Sequence, residues 1–318
     1  MLSRVASRIY WMARYLERAE NTARLVNVNT ILLLDLPRNV TLGWRPLINI
    51  SGSKVLFSRL FTRIDERNVV RFLISDLRNS SSLLSSLQAA RENARTIRDI
   101  IPREGWEAIN ALYLQVQSAL PAGLARHMRH DFLNEMVVHS QAITGLLAGT
   151  MLNDNGYDFL RLGRNLERGD MTSRIVDVRS ENLLPEDPDT RLPFENIQWM
   201  SVLQSLSAYQ GYKQRIQGPV RREAVVHFLL QDVDFPRAFA HCVREVNHCL
   251  HNLPHGKTLI KSCTGLAREV RKAPVETMRK PELQRFIDHL QLQLGELHQQ
   301  ITNTYFSLQR TPPKKKKP

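Results

Sequence analysis

Glycine, proline and cysteine are all scarce in this sequence, and each scarcity argues against a class of protein. The 318 residues include 14 glycines and 15 prolines, too few for an all-β fold with many tight turns, which favours long helices. The three cysteines, Cys242, Cys249 and Cys263, form no CxxC pair and are odd in number. They argue against a disulfide framework or a zinc ribbon and fit a reducing cytoplasm.

Long apolar runs and catalytic loop motifs are also missing. The longest apolar run, ILLLDL, is far shorter than the roughly 20 residues that cross a bilayer, so we expect no membrane span. The sequence contains no P-loop, no GxSxG and no GxGxxG motif after a strand. This absence indicates that any ATP chemistry belongs to a partner. The N-terminus is rich in Arg and Ser like a transit peptide, but we interpret it as part of the fold because charges interrupt its apolar positions.

Positive charge is in excess, with a formal net charge of +13. Such an excess is the electrostatic footprint of a nucleic-acid-binding protein. The arginines are nevertheless spread along the chain, often at helical spacing from acids, and no helix-turn-helix or RNA-binding signature appears. Nucleic acid is therefore not the expected partner. The lysine-rich end, residues 309–318, is predicted to be a disordered tail.

Helical periodicity dominates the chain. In residues 3–35 an apolar stripe recurs at spacings of three and four, and Tyr10 and several charged residues form a second arc roughly opposite. The stripe consists of Val5, Ile9, Met12, Leu16, Ala19, Ala23 and Val26. Further helices are predicted near 55–63, 66–78, 81–100, 102–120, 125–150, 156–182, 194–215, 219–231, 235–252, 256–272 and 280–308. Residues 38–54 are predicted to form a loop with a short helix, and LLPEDPDTRLP (183–193) to form a loop. The fold class is all-α with long antiparallel helices.

A repeated charged motif indicates an internal duplication. LERAENTAR at 16–24 returns as LERGDMTSR at 166–174, and residues 14–28 and 164–178 share eight identical positions. FLISD at 72–76 returns as FLLQD at 228–232 in the same order. We therefore predict one domain over 1–308, a bundle of two pseudo-symmetric, tandem-duplicated halves of about 1–150 and 151–308.

Long collinear stretches of this sequence resemble the bacterial alpha-E family. They are YWMARYLERAENTAR, RFLISDLRNSSSLLSSLQAARENARTIRD, GWEAINALYL, LGRNLERGDMTSRI and FLLQDVDFPRAF, within about 1–308. The resemblance implies an α-helical fold with a Glu-Arg (ER) motif. It also implies a role beside circularly permuted ATP-grasp ligases and transglutaminase-like proteases, and hence in forming or trimming peptide-like amide bonds. One departure, RNSSS in place of the Asn-Pro-Ser-Ser common in the family, concerns a helix start.

The two ER segments supply the candidate site. Its residues are Arg14, Glu17, Arg18, Glu20, Asn21, Arg24, Arg164, Glu167, Arg168, Asp170 and Arg174. In one interpretation they form a buried network in which Glu of one half meets Arg of the other, because burying either charge unpaired would cost several kcal/mol. In the other they line a shared polar pocket that binds a peptide or another anionic ligand. Both interpretations stay open from the sequence.

No metal or cofactor is predicted. Glu17 and Glu20 lie at i,i+3, as do Glu167 and Asp170, but di-iron bundles use Glu-x-x-His and no His occupies that place here. The histidines of HMRHDFLNEMVVH (127–139) are expected on the surface. Cys242 and Cys249, seven residues apart, suit a buried apolar stripe.

These observations favour an accessory subunit of an ATP-grasp peptide-ligase system, located in the cytoplasm. It would bind the ligase or its peptide through the ER helices and would lack activity of its own. Two alternatives remain: a helical-bundle enzyme with Glu17 and Glu167 as acid–base residues, and a basic nucleic-acid-interacting protein. For comparison with these acids, Glu66 is expected to be exposed.

Overall fold

The fold is known from a computed structural model that describes residues 1–35, 43–180 and 188–307. Every regular element within these ranges is helical. The elements are α1 (Ser3–Asp35), α2 (Arg45–Ile50), α3 (Lys54–Leu60), α4 (Glu66–Ile74), α5 (Leu83–Arg95), α6 (Arg103–Ser118), α7 (Leu120–Leu124), α8 (Arg129–Thr150), α9 (Asn155–Ser180), α10 (Pro188–Ser205), α11 (Tyr209–Arg215), α12 (Arg222–Gln231), α13 (Phe239–Asn252), α14 (Lys257–Lys272) and α15 (Lys280–Ile301). A π-helical turn, Thr302–Phe306, follows α15. The predicted all-α class is confirmed.

The two ER helices, α1 and α9, form the centre of the bundle and pack directly against each other. Gly163 of α9 allows this close approach. A β-carbon at Gly163 would lie 2.3 Å from the backbone oxygen of Tyr10 in α1, well inside van der Waals contact. The ER motifs are therefore held at a crossing where the backbones nearly touch.

The outer helices surround this pair in a reciprocal pattern. α1 packs against α5 and α8, while α9 packs against α13 and α15. The short α2 contacts α9, and α10 contacts α1. α4 and α12, which contain the start of the repeated FLISD and FLLQD segments, contact α1 and α9 respectively. The tandem duplication itself stays a prediction.

α1 is buried on both of its arcs. The apolar residues Ile9, Met12, Ala19 and Val26 are fully buried, as the periodicity predicts. The opposite arc is buried too, because α9 covers it: Glu17, Glu20 and Asn21 are at most 3% exposed. Charged residues inside a bundle require partners, and the ER motifs meet that requirement at the α1–α9 crossing.

Side chains cap the N-termini of two of the helices. Ser82, from the run RNSSS, is the N-cap of α5, and its hydroxyl accepts a hydrogen bond from the backbone N–H of Ser85 at 3.2 Å. The carboxylate of Asp65 caps α4 in the same way at 2.8 Å from the N–H of Asn68. Each cap accepts a hydrogen bond from a backbone N–H group that has no partner within the first turn of the helix.

Several predicted boundaries are wrong. The helix predicted over 194–215 begins earlier, at Pro188, and is interrupted after Ser205 by a turn in which Ser207 has a φ of +52°. Part of the predicted 183–193 loop is therefore helical, and its first residues lie outside the described ranges. In the described part of the 38–54 segment, residues 43–54, the predicted short helix is α2, and α3 begins at Lys54, one residue before its predicted start. The lysine tail lies outside the described ranges.

Among the residues that the structure describes, no helix combines the length and the apolar character needed to cross a bilayer.

Candidate ER site at the helix crossing

Glu167 of α9 is held by two arginines of α1. The Nε of Arg14 donates to one carboxylate oxygen at 2.7 Å. Arg18 donates through Nε at 2.6 Å and through Nη2 at 3.0 Å to the two oxygens. Such forked guanidinium–carboxylate contacts are the strongest and most directional of the ordinary ion pairs. Glu167 is 2% exposed, so the pairing takes place inside the bundle.

Glu17 of α1 makes the reciprocal contacts with the second half of the chain. It accepts a hydrogen bond from the Nε of Arg168 in α9 at 2.9 Å. It also accepts one from Nη1 of Arg237 at 2.5 Å. Each ER glutamate is thus bound by an arginine of the other ER helix, which links α1 to α9 through charge.

Arg237, which the sequence analysis did not select, is central to the site. It lies just before α13, is 7% exposed, and donates to Glu17, to Glu20 at 2.6 Å and to Asn21 at 2.9 Å. Its backbone oxygen accepts a hydrogen bond from the hydroxyl of Thr172 in α9 at 2.7 Å. Arg237 lies within the stretch FLLQDVDFPRAF. Its spacing from neighbouring residues gives no sign that it contacts Glu17, Glu20 and Asn21, which lie more than 200 positions away.

The remaining candidates lie at the edges of this arrangement. Arg24 pairs with Glu20, and Arg174 pairs with Asp170 at 2.9 Å, both one helical turn apart. Arg164 lies near Glu17, yet among the described residues its Nε is buried without a hydrogen-bond partner. The structure therefore brings all eleven predicted residues to one crossing, but within the described ranges Arg164 has no ion pair of its own.

Tyr10 and His298 extend the site toward the end of α15. The Tyr10 hydroxyl lies 2.7 Å from Nδ1 of His298, and Arg14 donates to both groups at 3.3 and 3.2 Å. Burial and the positive charge of Arg14 lower the pKa of His298 to about 4. The ring is neutral at pH 7 and accepts at Nδ1, so it adds no further charge beside the guanidinium of Arg14.

The electrostatics hold both ER glutamates in the ionised state. Burial by itself would raise the pKa of Glu167, but the charges of Arg14 and Arg18 outweigh it and lower the pKa to about 2. Burial opposes ionisation of Glu17 as well, and Arg168 and Arg237 again lower its pKa below the ordinary range. Neither carboxyl group carries a proton near neutral pH.

Positive charge exceeds negative charge at the crossing. Among the described residues, four carboxylates face seven guanidinium groups. The carboxylates are those of Glu17, Glu20, Glu167 and Asp170. The guanidinium groups are those of Arg14, Arg18, Arg24, Arg164, Arg168, Arg174 and Arg237. Burial together with the neighbouring Arg168 lowers the pKa of Arg164, and burial together with Arg237 lowers that of Arg24. In both cases burial is the larger cause and the neighbouring positive charge the smaller one.

The other sequence candidates have structural explanations. His127, His130 and His139 are exposed, as predicted. Cys242 and Cys249 are buried in α13, and burial raises the pKa of each thiol to about 12. Within the described ranges no three His, Cys, Asp or Glu side chains come together in a way that could hold a metal ion.

The expectation for Glu66 is wrong. Its side chain is only 30% exposed, and it pairs with the buried Arg129 of α8 at 2.8 Å. Glu66 therefore holds an interhelical contact of its own and does not serve as a neutral comparison. Glu107, which is 56% exposed and pairs with Arg103 within α6, is a better one.

We expect acid to weaken the fold through Glu167. Its pKa lies near 2 in the folded chain and near 4.5 in the unfolded chain. Its ionisation therefore stabilises the fold fully above pH 4.5, and this contribution disappears as the pH falls through about 2. Urea denaturation between pH 7 and pH 2 measures the loss, and Glu167→Gln should give a flatter pH dependence. An equally steep profile in Glu167→Gln would contradict the assignment.

Comparison with known proteins agrees with this geometry. A family model named Alpha-E, described as a predicted alpha-helical domain with a conserved ER motif, matches residues 1–306. Uncharacterized proteins from Mycobacterium bovis and Mycobacterium tuberculosis are each 23% identical over 269 residues, which is 79% of this chain. The match spans only 30% of the length of each relative. No solved structure matches the chain. With the family match covering nearly all of the described residues and the ER motifs meeting at the helix crossing, this chain belongs to the Alpha-E family.

Proposed function

We propose that this protein is a cytoplasmic accessory subunit of an ATP-grasp peptide-ligase system, and that it binds a carboxylate-bearing peptide through the arginines of its ER helices. The observation that carries the proposal is the charge balance at the crossing. Both ER glutamates are fully engaged by arginines, and positive charge remains in excess. Guanidinium groups bind carboxylates with two parallel hydrogen bonds, so a carboxylate suits the excess charge.

The state of Glu17 and Glu167 disfavours the enzyme alternative. A general acid or base works best with a pKa near the operating pH. These two carboxyl groups are buried, ionised and bound by arginines that keep their pKa values low. Protonation would weaken the charge-assisted hydrogen bonds that these groups accept, two at Glu17 and three at Glu167. Binding of an anionic ligand does not require either carboxylate to take up a proton.

The length of the mycobacterial relatives is consistent with a role beside other domains. In each of them the matched region occupies 30% of the chain, so most of the relative lies outside the part that resembles this protein. A helical unit that works beside further domains of the same chain can also work beside a separate partner protein. The identity of the partner, an ATP-grasp ligase with an associated transglutaminase-like protease, comes from the family resemblance.

A reconstitution experiment tests the proposal. The purified chain is mixed with the circularly permuted ATP-grasp ligase of the same organism, and ATP hydrolysis and amide formation are followed. We expect no turnover by the isolated chain, because phosphoryl transfer needs Mg²⁺-binding carboxylates and a phosphate cradle. We expect the chain to change the rate of the ligase. Deleting residues 309–318 should leave this effect unchanged, since a flexible run of lysines acts mainly through salt-sensitive attraction.

Two outcomes would reject the proposal. An unchanged ligase rate, together with no complex in size-exclusion chromatography, would remove the accessory role. ATP or amide hydrolysis by the isolated chain that disappears in Glu17→Gln would favour the enzyme alternative instead.

A further inference from the structure

We infer that a groove between α4 and α7 is a second binding site, and that it takes an acidic segment of a partner protein with an aliphatic side chain between its carboxylates. The groove has a volume of about 800 Å³. Its lining contains four arginines, Arg67, Arg71, Arg126 and Arg129, and one acid, Glu66. None of these residues belongs to the ER crossing, so the inference goes beyond the proposed function and does not rest on it.

Glu66 and Arg129 neutralise each other. Glu66 accepts a hydrogen bond from Nη1 of Arg129 at 2.8 Å. Arg129 is 2% exposed, and its Nε and Nη2 donate to the backbone oxygens of Gly123 and Leu124 at 3.4 and 3.3 Å. This arginine therefore holds α4, α7 and α8 together, and the carboxylate of the groove is already paired.

Three guanidinium groups of the lining remain available. Arg67 and Arg71 are exposed on α4, and among the described residues neither forms an ion pair. The side chain of Arg126 is 64% exposed, and its Nε lies 3.7 Å from Glu66, which is beyond hydrogen-bond distance. Four arginines and one carboxylate leave this part of the described structure with an excess of three positive charges. The groove therefore favours an anion over a cation.

The acids closest in sequence to these arginines are engaged elsewhere. Asp65 caps α4 and accepts hydrogen bonds from the backbone and side-chain amides of Asn68 at 2.8 and 3.1 Å. Asp76 accepts a forked pair of hydrogen bonds from Arg78 at 2.9 and 2.6 Å. These bonds are the largest cause of the lowered pKa of Asp76, and the charge of Arg71 is a minor one. Neither acid therefore replaces a ligand in the groove.

Aliphatic surface lies beside the guanidinium groups. Arg67, Val70 and Arg71 are three or four residues apart and share one face of α4, with the two arginines separated by about 6 Å along the helix axis. From α7, Leu120 and Leu124 also line the groove, and Leu124 is 39% exposed. A ligand that matches this lining needs separate negative charges and an aliphatic group.

The lining is unlike that of a nucleic-acid or phosphate site. Among the described residues that line the groove, none is aromatic and none is glycine. Single-stranded nucleic acids are usually bound by stacking bases on aromatic side chains, and phosphates by the backbone N–H groups of glycine-rich loops. The volume also lies in the range of about 300–1,000 Å³ that suits organic ligands of several groups. An acidic peptide segment with an aliphatic side chain fits these features best.

Isothermal titration calorimetry of the full chain tests the inference with two matched peptides. The acidic probe is acetyl-Glu-Glu-Leu-Glu-Glu-amide, and the neutral probe has glutamine in place of each glutamate. At about 0.15 M salt, attraction beyond roughly 8 Å is largely screened, so direct contacts decide the affinity. We expect the neutral probe to bind at least about tenfold more weakly, since charge-assisted hydrogen bonds are lost. Equal binding of the two probes, or no binding of the acidic probe, would overturn the inference.

Removing two arginines of the groove locates the binding site. The double variant Arg67→Gln, Arg71→Gln should bind the acidic probe at least about tenfold more weakly, and the fold should tolerate it because both side chains are exposed. The matched control is Arg268→Gln, Arg271→Gln, which removes the same charge from exposed positions one turn apart on α14, outside the groove. The control should bind normally. A similar loss in both double variants, or normal binding in the first, would contradict the inference.

Two phosphate probes test the competing ligands. Inorganic triphosphate and a short oligothymidylate are titrated under the same conditions, and we expect both to bind the groove more weakly than the acidic peptide does. Either of them could instead bind more tightly than the peptide and lose this binding in the Arg67→Gln, Arg71→Gln variant. That result would make the groove a phosphate site and overturn the inference.

The aliphatic part of the ligand is tested separately. Acetyl-Glu-Glu-Ser-Glu-Glu-amide has the charge of the acidic probe without its leucine, and it should bind about tenfold more weakly because less apolar surface is buried. In Leu124→Ser, which changes a partly exposed side chain, this preference for leucine should shrink. A general loss of stability would weaken both peptides alike and leave their ratio unchanged. No preference in the unmodified chain, or an unchanged preference in Leu124→Ser, would overturn the inference.

Discussion

Replacing Glu17 or Glu167 with glutamine should lower the free energy of unfolding by about 3–5 kcal/mol, the cost of leaving a buried charge without its partner. In Glu17→Gln the guanidinium groups of Arg168 and Arg237 remain inside the bundle and lose the negative charge that balances them. In Glu167→Gln the same happens to Arg14 and Arg18. A glutamine oxygen can still accept hydrogen bonds, but it does not neutralise two arginines.

Equilibrium denaturation in urea measures this loss, and Glu107→Gln is the control. Glu107 is exposed and pairs only with Arg103 along α6, a type of contact worth about 0.2–0.5 kcal/mol. The control should therefore unfold almost as the unmodified chain does. Denaturation curves of Glu17→Gln that overlap those of Glu107→Gln would show that the network does not stabilise the fold.

Replacing Gly163 with alanine should cost about 3 kcal/mol or more. The new β-carbon would lie 2.3 Å from the backbone oxygen of Tyr10 and 3.1 Å from its carbonyl carbon. Overpacking typically costs about 1–3 kcal/mol when side chains can adjust. Here the obstacle is the backbone of the other central helix, so relief requires α1 and α9 to separate. Separation would also lengthen the ion pairs at the crossing.

Gly265→Ala is the matched control for this substitution. Gly265 lies inside α14, and a β-carbon there would meet no atom within 4 Å. Alanine is favoured over glycine in a helix by about 1 kcal/mol, so Gly265→Ala should stabilise the chain slightly. The two substitutions are chemically identical and should have opposite signs. A stabilised Gly163→Ala variant would contradict the close crossing.

The buried network has a structural consequence beyond its energy. Buried ion pairs are often no more stabilising than apolar residues of the same volume, because both charges must lose their hydration. Their contribution is then to specify one arrangement over others. Sliding α1 along α9 by one turn would carry Glu17 away from Arg168 and Glu167 away from Arg14. We infer that the two ER motifs fix the register of the central helices.

Much of the local structure could be predicted from the sequence alone. The apolar stripe of α1, the Ser82 cap of α5 and the buried cysteines of α13 each depend on residues within a few turns of one another. Periodicity and capping depend on residues that are close together in the chain, so both can be recognised in a single sequence. The all-α class and the positions of the two ER helices followed from the same signals.

Helix ends were less accurate, because packing competes with local preference there. Helix 194–215 reads as continuous in sequence, but the structure turns at Ser207 and starts a new helix at Tyr209. Glu66 reads as a surface residue in the first turn of α4, yet the buried Arg129 of α8 reaches it. For Glu66 the deciding contact comes from another part of the chain, whereas the turn at Ser207 is closed by local backbone hydrogen bonds from Ser207 to Gln204 and from Ala208 to Leu203.

By itself, the sequence determined the helical class, the ER motifs and eleven of the residues that meet at the crossing. The tertiary structure alone decided which charges pair, because the partners lie about 150 to 220 positions apart. It added Arg237 and His298 and, among the residues that the structure describes, left Arg164 without an ion pair. Helical spacing reports which residues share a face, whereas ion pairing depends on which faces the packed bundle brings together.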